Sequence, residues 1–590
     1  MTAATASPAL LRVSVGQCTE AGRKPLNQDS VGARIAQGAL LERKGVACAV
    51  ADGISSSPVS HLASETAVTG FLADYYSTPD TWSVQTSAER VLVALNAWLH
   101  AQSRAGEFRY ERDKGHVCTF SALVLRSATA HLFHVGDSRI YRLSADGLEQ
   151  LTQDHRVTVS AEESYLGRAL GADSQVRIDY QALPLSAGDI YLLATDGAYA
   201  HLSEADIRQT LAACAGDLQE AAQRLVQQAL DAGSTDNLSL QLVRVDALPA
   251  PDAPDRQQQR LTLPVPELKS GLRLDGYRLV RPLHVTSRSH LFLAEDEATG
   301  CRVAIKAPSV EMRENAAFLE RLQLEEWVAR RIHDPHVVGA AFPERRRTAL
   351  YTALEFVEGQ TLTQWMTDHP HPDLDTVRRI VEQIGQGLRA LHRLEILHQD
   401  LRPENIMIDT TGTVRLVDFG AVRVAGLDPR PDDDTPPGTL QYMAPEYVAG
   451  LPPSPASDLF SLAVITYQML CGALPYGARL AQARTRADQR RIGQGYRSLC
   501  RDGAAPAHAA IPGWVDDALR KALDIDPHRR QADVAEFLHD LRHPHAGYRS
   551  RHRTPWVERD PVQFWKVLAL VGLACTLLLL YLLARMHAGR

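Results

Sequence analysis

Five aspartates fall at the edges of short apolar runs in the first half of the chain. They are Asp29 in Asn27-Gln28-Asp29, Asp52 in Ala51-Asp52-Gly53, Asp137 in Gly136-Asp137-Ser138, Asp196 in Thr195-Asp196-Gly197, and Asp236 before Asn237. Any one Asp-Gly of this kind is an ordinary turn. Carboxylates gathered at strand ends along one sheet edge repel each other unless hard divalent cations sit between them, the setting of an all-oxygen Mg2+ or Mn2+ site. Two such ions polarise a phosphoryl oxygen and bring the pKa of bridging water into the range of a nucleophile. A second set of charges lies further along the chain: Lys306 ends the apolar run Val303-Ala304-Ile305, Asp400 and Asn405 stand in His398-Gln399-Asp400-Leu401-Arg402-Pro403-Glu404-Asn405, and Asp418 opens Asp418-Phe419-Gly420. Alone, such a lysine is a snorkelling surface residue.

The elements that must hold these residues divide the chain. A length of 590 residues is too long for one core, and typical domain sizes give two to four folded units. Over residues 11–246, apolar runs at 45–50, 120–125, 131–135, 190–195 and 238–243 read as strands and residues 61–75 and 87–103 as helices, an α+β unit with stacked sheets flanked by helices. Residues 247–270 carry five prolines and Gln257-Gln258-Gln259, the composition of a linker. Residues 271–543 begin with strands and turn helical after about residue 374, as in a two-lobed domain.

Formal net charge is −7, with 23% charged and 45% hydrophobic residues, which excludes an overall nucleic-acid-binding bias. Eight scattered cysteines without a C-x-x-C pair read as free thiols of a reducing compartment. Residues 567–584 hold no charge; eighteen residues at ~1.5 Å each span about 27 Å, close to the hydrocarbon thickness of a bilayer. Before this run, residues 544–566 form a basic segment with Arg549, Arg551, Arg553, Arg559 and Lys566 against Glu558 and Asp560; after it a tail of 585–590 has only Arg585 and Arg590. The positive-inside bias puts everything N-terminal to the helix in the cytoplasm, in a cell membrane spanned once. Residues 1–10 lack the basic and apolar regions of a secretory signal.

The order and context of the five aspartate motifs resemble the PPM-type metal-dependent Ser/Thr protein phosphatases across residues 11–246. The resemblance implies that Asp52 bridges two Mg2+ or Mn2+ ions, with the Gly53 carbonyl on one and Asp196 and Asp236 on the other. Asp29 would orient the attacking water, and Asp137 with Asp196 would hold a third, weaker ion. Lys24 stands where the family has a phosphate-gripping arginine, with Arg23 adjacent to supply the bidentate contact. Ile54-Ser55-Ser56-Ser57-Pro58 stands where the family has further glycines.

Residues 272–543 resemble eukaryotic-like (Hanks-type) Ser/Thr protein kinases. That resemblance makes Lys306 and Glu325 the ion pair that positions the ATP phosphates, Asp400 the base near the substrate hydroxyl, and Asn405 and Asp418 the Mg2+ ligands. Ala444-Pro445-Glu446 and Asp458 complete the pattern, with Arg530 expected to pair with Glu446, and Pro403-Glu404 favours Ser/Thr over Tyr. Three departures stand out: no glycine falls between Gly276 and Gly300 where a glycine-rich loop belongs, Arg402 replaces the lysine that contacts the transferred phosphoryl group, and Gln399 replaces the arginine that pairs with a phosphorylated activation loop. Asp432-Asp433-Asp434 reads as a solvated turn in that loop.

The sequence therefore reads as a multidomain, membrane-anchored enzyme that both phosphorylates protein Ser/Thr with ATP and Mg2+ and removes the phosphate. Its partners are protein substrates and the membrane, not nucleic acid, with dephosphorylation of its own kinase domain in cis. The alternative is a phosphatase regulated by a nucleotide-binding pseudokinase.

Overall fold

A computed structural model describes residues 10–144, 147–158, 164–249, 263–342, 344–427, 441–477, 485–500, 511–544 and 561–588. Part of the expected linker, the Asp432–Asp434 turn and most of the basic segment before the C-terminal helix lie outside the described residues.

The N-terminal part is a sandwich of two antiparallel five-stranded sheets. Its strands are β1 (Arg12–Glu20), β2 (Asp29–Ile35), β3 (Val46–Asp52), β4 (Phe120–Arg126), β5 (Thr129–Val135), β6 (Arg139–Ser144), β7 (Gly147–Gln150), a hairpin of β8 (Arg156–Thr158) and β9 (Ser164–Leu166), β10 (Asp179–Pro184), β11 (Ile190–Ala194) and β12 (Leu238–Ala247). One sheet runs β1-β12-β11-β6-β7 and the other β10-β5-β4-β3-β2. In β3 the two-residue period divides the side chains cleanly: Val46, Cys48 and Val50 face Ile140, Leu193 and Val243 of the opposite sheet. Ala47, Ala49 and Ala51 point outward, and their small size lets helices α2 (Ser60–Ser77) and α3 (Val84–Ala105) lie close through Phe71, Tyr75 and Leu92. Phe71 is fully buried in that layer, so truncating it to alanine costs about 3–5 kcal/mol. On the other outer face the stripe Leu218, Ala221, Ala222, Leu225, Val226 and Ala229 of the helix Leu218–Asp231 repeats at helical spacing and packs on β12. Asp217 caps its first turn through the amides of Gln219 and Glu220.

The second part opens with the antiparallel sheet β13 (Arg273–Leu274), β14 (Tyr277–Val285), β15 (Ser289–Asp296), β16 (Arg302–Pro308) and β17 (Thr352–Glu355), in that order, with the helix Ala316–Arg331 packed against it. A mainly helical lobe follows. Its helix Leu374–His392 starts at an Asp373 cap and buries Val377, Ile380, Val381, Ile384, Leu388 and Leu391, the spacing that the sequence displays. The helix Pro455–Cys471 is apolar nearly all round and accordingly buried; it begins with Pro455 in its first turn and ends at Gly472, which takes left-handed backbone at φ 72°.

A last helix, Pro561–Ala588, extends the apolar 567–584 run on both sides. Its Val562–Leu582 stretch has mean hydropathy 2.1, is long and apolar enough to cross a membrane, and is not buried among the described residues. All eight cysteines are unpaired thiols.

Candidate active sites

The two sheets of the sandwich bring the five aspartates to one edge. Asp29 begins β2 and Asp52 ends β3, and the ladder sets them directly opposite each other, where like charges destabilise a sheet. Asp137 follows β5, Asp196 follows β11, and Asp236 precedes β12. Burial, together with the charges of Asp29, Asp196, Asp137 and Asp236, pushes the Asp52 carboxyl well above the usual range. Burial likewise lifts Asp29 to about 6. Its Oδ2 accepts from the Thr195 hydroxyl at 2.8 Å, while Oδ1 is buried with no donor. Gly53 is obligatory here, since a Cβ would lie 2.7 Å from the Ser60 carbonyl oxygen and 2.8 Å from that of Gln28.

Two cations answer this charge. Lys24 pairs with Asp236 and donates to the Ser55 hydroxyl at 2.8 Å. Arg156 bridges Asp137 at 2.7 Å and Asp196 at 3.0 Å. Arg23 is exposed. Among the described residues no three or more His, Cys, Asp or Glu side chains close into a ready metal cage. The donor set nonetheless suits a hard cation: it is all oxygen, mutually repelling, and includes one buried carboxylate oxygen without a hydrogen bond.

Sequence reasoning missed Arg156 and Asn237. No motif marks Arg156; its place comes from His155, whose Nδ1 accepts from the Gly136 amide at 3.0 Å and so ties this segment to the Asp137 turn. Asn237 donates to the carbonyls of Ala21 and Leu26 and accepts from the Gln28 amide, pinning the loop that carries Arg23 and Lys24. Its position after Asp236 was the available signal.

In the second part the charges are already paired. Lys306, on β16, donates to both Glu325 oxygens at 2.8 Å and to Asp418 at 2.8 Å. Asp418 and Glu325 hold the ammonium charged against its burial, and Lys306 in turn draws Asp418 down to about 2. Asn405 donates to the Asp400 carboxylate at 3.0 Å and to its carbonyl at 2.9 Å, and Arg402 lies 3.5 Å from the same carboxylate. Asp458 fixes the loop from beneath by accepting from the amides of His398 and Gln399 and from His392. Gln399 at φ 63° and Asp418 at φ 69° hold left-handed backbone, a strain of about 1–3 kcal/mol each that such anchoring must offset. The expected Glu446–Arg530 pair is bidentate, at 2.8 and 2.7 Å, and buried.

The glycine-free segment joins β14 to β15 as a hairpin closed by a side chain. The Thr286 hydroxyl accepts from the amides of Arg288 at 3.2 Å and Ser289 at 3.0 Å, and the Thr286 amide donates to Ser289 at 3.0 Å. Three backbone N–H groups that could face a phosphate are thus engaged within the turn.

Family comparisons agree with this division. Residues 20–233 match the protein phosphatase 2C profile and residues 286–544 the protein kinase domain profile. Among curated proteins, serine/threonine-protein kinases PknA of Corynebacterium glutamicum is 32% identical over 206 residues, covering 34% of this chain and 44% of that protein. Serine/threonine-protein kinase PrkC of Bacillus subtilis is 25% identical over 277 residues, covering 46% and 41%. The chain spans less than half the length of these relatives. Among solved structures, the catalytic domain of serine threonine protein phosphatase PstP, in complex with two manganese ions, is 25% identical over 40% of this chain and 100% of that one, at TM-score 0.34. PppA of Pseudomonas aeruginosa, described as a key regulatory component of T6SS, is 21% identical over 40% of this chain and 99% of that one, at TM-score 0.33. The chain thus joins a domain of the protein phosphatase 2C family at residues 20–233 to a domain of the protein kinase family at residues 286–544.

Proposed function

We propose that the chain is a bifunctional signalling enzyme that phosphorylates protein serine and threonine with ATP and hydrolyses the same phosphoesters. The observation that carries the reading is that two complementary charge sets, the carboxylate edge and the Lys306–Glu325–Asp418 triad with Asp400 and Asn405, occur on one chain.

In the phosphatase half, Asp52, the Gly53 carbonyl, Asp196 and Asp236 would hold two Mg2+ or Mn2+ ions, and Asp137 with Asp196 a third. Bound there, such ions supply positive charge to the phosphoryl oxygens and acidify water. Asp29 orients the attacking water through its undonated oxygen. Lys24 and Arg23 grip the substrate phosphate, for which Lys24 must leave Asp236. In the kinase half, Lys306 holds the ATP phosphates, Glu325 orients Lys306, Asn405 and Asp418 take Mg2+, Asp400 accepts the hydroxyl proton, and Arg402 steadies the transferred phosphoryl group.

The functional units in this reading are residues 11–246, 271–543 and the helix over 567–584, with 247–270 as linker, 544–566 as a basic approach to the membrane and 585–590 beyond it. The helix anchors both catalytic units on the cytoplasmic side, and the phosphatase removes phosphate from the adjoining kinase in cis. The test is the full-length chain carrying Asp196→Ala, incubated with labelled ATP and Mg2+. Transfer to itself or to a basic protein supports the reading, and it should disappear in the Asp196→Ala, Asp400→Ala double variant. The hairpin amides engaged by Thr286 favour a second reading, a pseudokinase that binds nucleotide only. ATP binding without transfer in the Asp196→Ala chain would establish it.

A further inference from the structure

The helix Ala316–Arg331, here α7, is held from both sides. At 3.6 residues per turn, Glu325 projects about 200° around the axis from Trp327. Glu325 meets Lys306. The opposite stripe, Glu320, Gln323, Trp327 and Arg331, meets the phosphatase domain. Trp327 is fully buried against Trp82, with ring centroids 5.6 Å apart. The Trp82 indole donates to Gln323 at 2.9 Å. Two ion pairs flank the tryptophans, Arg90 with Glu320 and Asp74 with Arg331, the latter at 2.8 Å. Arg90 also lies over the Trp82 ring, 4.3 Å from its centroid.

α3 reaches the other lobe as well. The Trp98 indole donates to the Arg393 carbonyl at 2.9 Å, and a Cβ on Gly426, at φ 81° just beyond the Asp418 motif, would lie 2.8 Å from the Val93 side chain. One phosphatase helix therefore touches both lobes of the kinase.

We propose that the phosphatase domain acts as a built-in clamp on α7, with Asp74, Trp82 and Arg90 as positioning residues that keep Glu325 on Lys306. Withdrawing Glu325 requires α7 to rotate, which would break both ion pairs and expose Trp327. The clamp takes over the work that a phosphorylated loop does elsewhere through an arginine at the position of Gln399. The kinase output is thereby tied to the docked state of its own eraser.

The proposal rests on the kinase reading, and its test separates the two. In the full-length chain carrying Asp196→Ala, Asp74→Arg with Arg90→Glu should lower the phosphotransfer kcat at least about tenfold while the ATP KM changes less than about threefold. Adding Arg331→Asp with Glu320→Arg should restore it. The milder Arg90→Ala should give a smaller loss in the same direction. Phosphatase turnover of the same interface variants with Asp196 intact should stay unchanged, which checks folding. Hydrogen exchange over residues 316–331 should rise in the reversed chain and fall again on rescue. Unchanged kcat despite increased exchange would overturn the clamp, as would unchanged exchange. If the starting chain transfers no phosphate, the kinase reading fails, and the exchange measurement alone decides the clamp.

Discussion

The two candidate active sites handle charge in opposite ways. At the sandwich edge, carboxylates outnumber the cations that reach them, and Asp52 and Asp196 are pushed up by burial and by neighbouring carboxylates, Asp137 and Asp236 among them for both. In the kinase cleft, each buried charge has a partner at hydrogen-bond distance, and Asp418 is held at about 2. The first is an anionic trap whose groups are shared with Lys24 and Arg156; the second is an assembled ion-pair network. Under the proposed function, the first site depends on what it binds, whereas the second depends on how its helix and loops are held.

The largest effect should come from the trap. Asp52→Ala or Asp196→Ala should lower phosphopeptide hydrolysis at least about a thousandfold, and a chelator should do the same to the unaltered chain. Hydrolysis that survives chelation would remove the contrast between the sites. In the Asp196→Ala background, Lys306→Ala should reduce phosphotransfer about a hundredfold, because it deletes the centre of the ion-pair network. A drop no greater than that from a surface lysine change would show that the network is structural only.

A several-fold effect should follow from Thr286→Ala, which releases the amides of Arg288 and Ser289. If those amides are withheld from phosphate, the ATP KM should fall by roughly twofold to fivefold. A rise would mean that the closed hairpin is itself the gripping conformation.

The smallest effect concerns stability in acid. Burial holds the His134 imidazole at about 4, with Ser121 and the Gln153 carbonyl as hydrogen-bond partners. A base whose folded pKa is depressed costs nothing above its unfolded value and destabilises the fold as pH falls from about 6.5 towards 4. His134→Gln should flatten that acid limb in thermal melts of the full chain, with little change at pH 8. An equal loss at both pH values would assign His134 to packing alone.

Much of this arrangement was legible along the chain. The alternation in Val46–Asp52 and the helical spacing in Leu374–His392 reflect local periods of two and 3.6, which burial on one face imposes on sequence directly. Motif order pointed to both domains, and the Glu446–Arg530 pair follows from it. Arg156 was invisible because nothing near it in sequence reports that a β8–β9 hairpin folds over Asp137 and Asp196. The Thr286 turn was likewise hidden: the missing glycines were evident, but not the hydroxyl that closes the hairpin.

Sequence by itself determined which residue types are available for each reaction, and that one C-terminal stretch is apolar enough to span a bilayer, because composition and short-range periodicity carry that information. Tertiary structure alone decided which carboxylates face one another, which cations reach them, and that Trp82 meets Trp327 across two domains. Those outcomes depend on contacts between residues far apart in the chain, where packing and desolvation rather than local spacing set the energy.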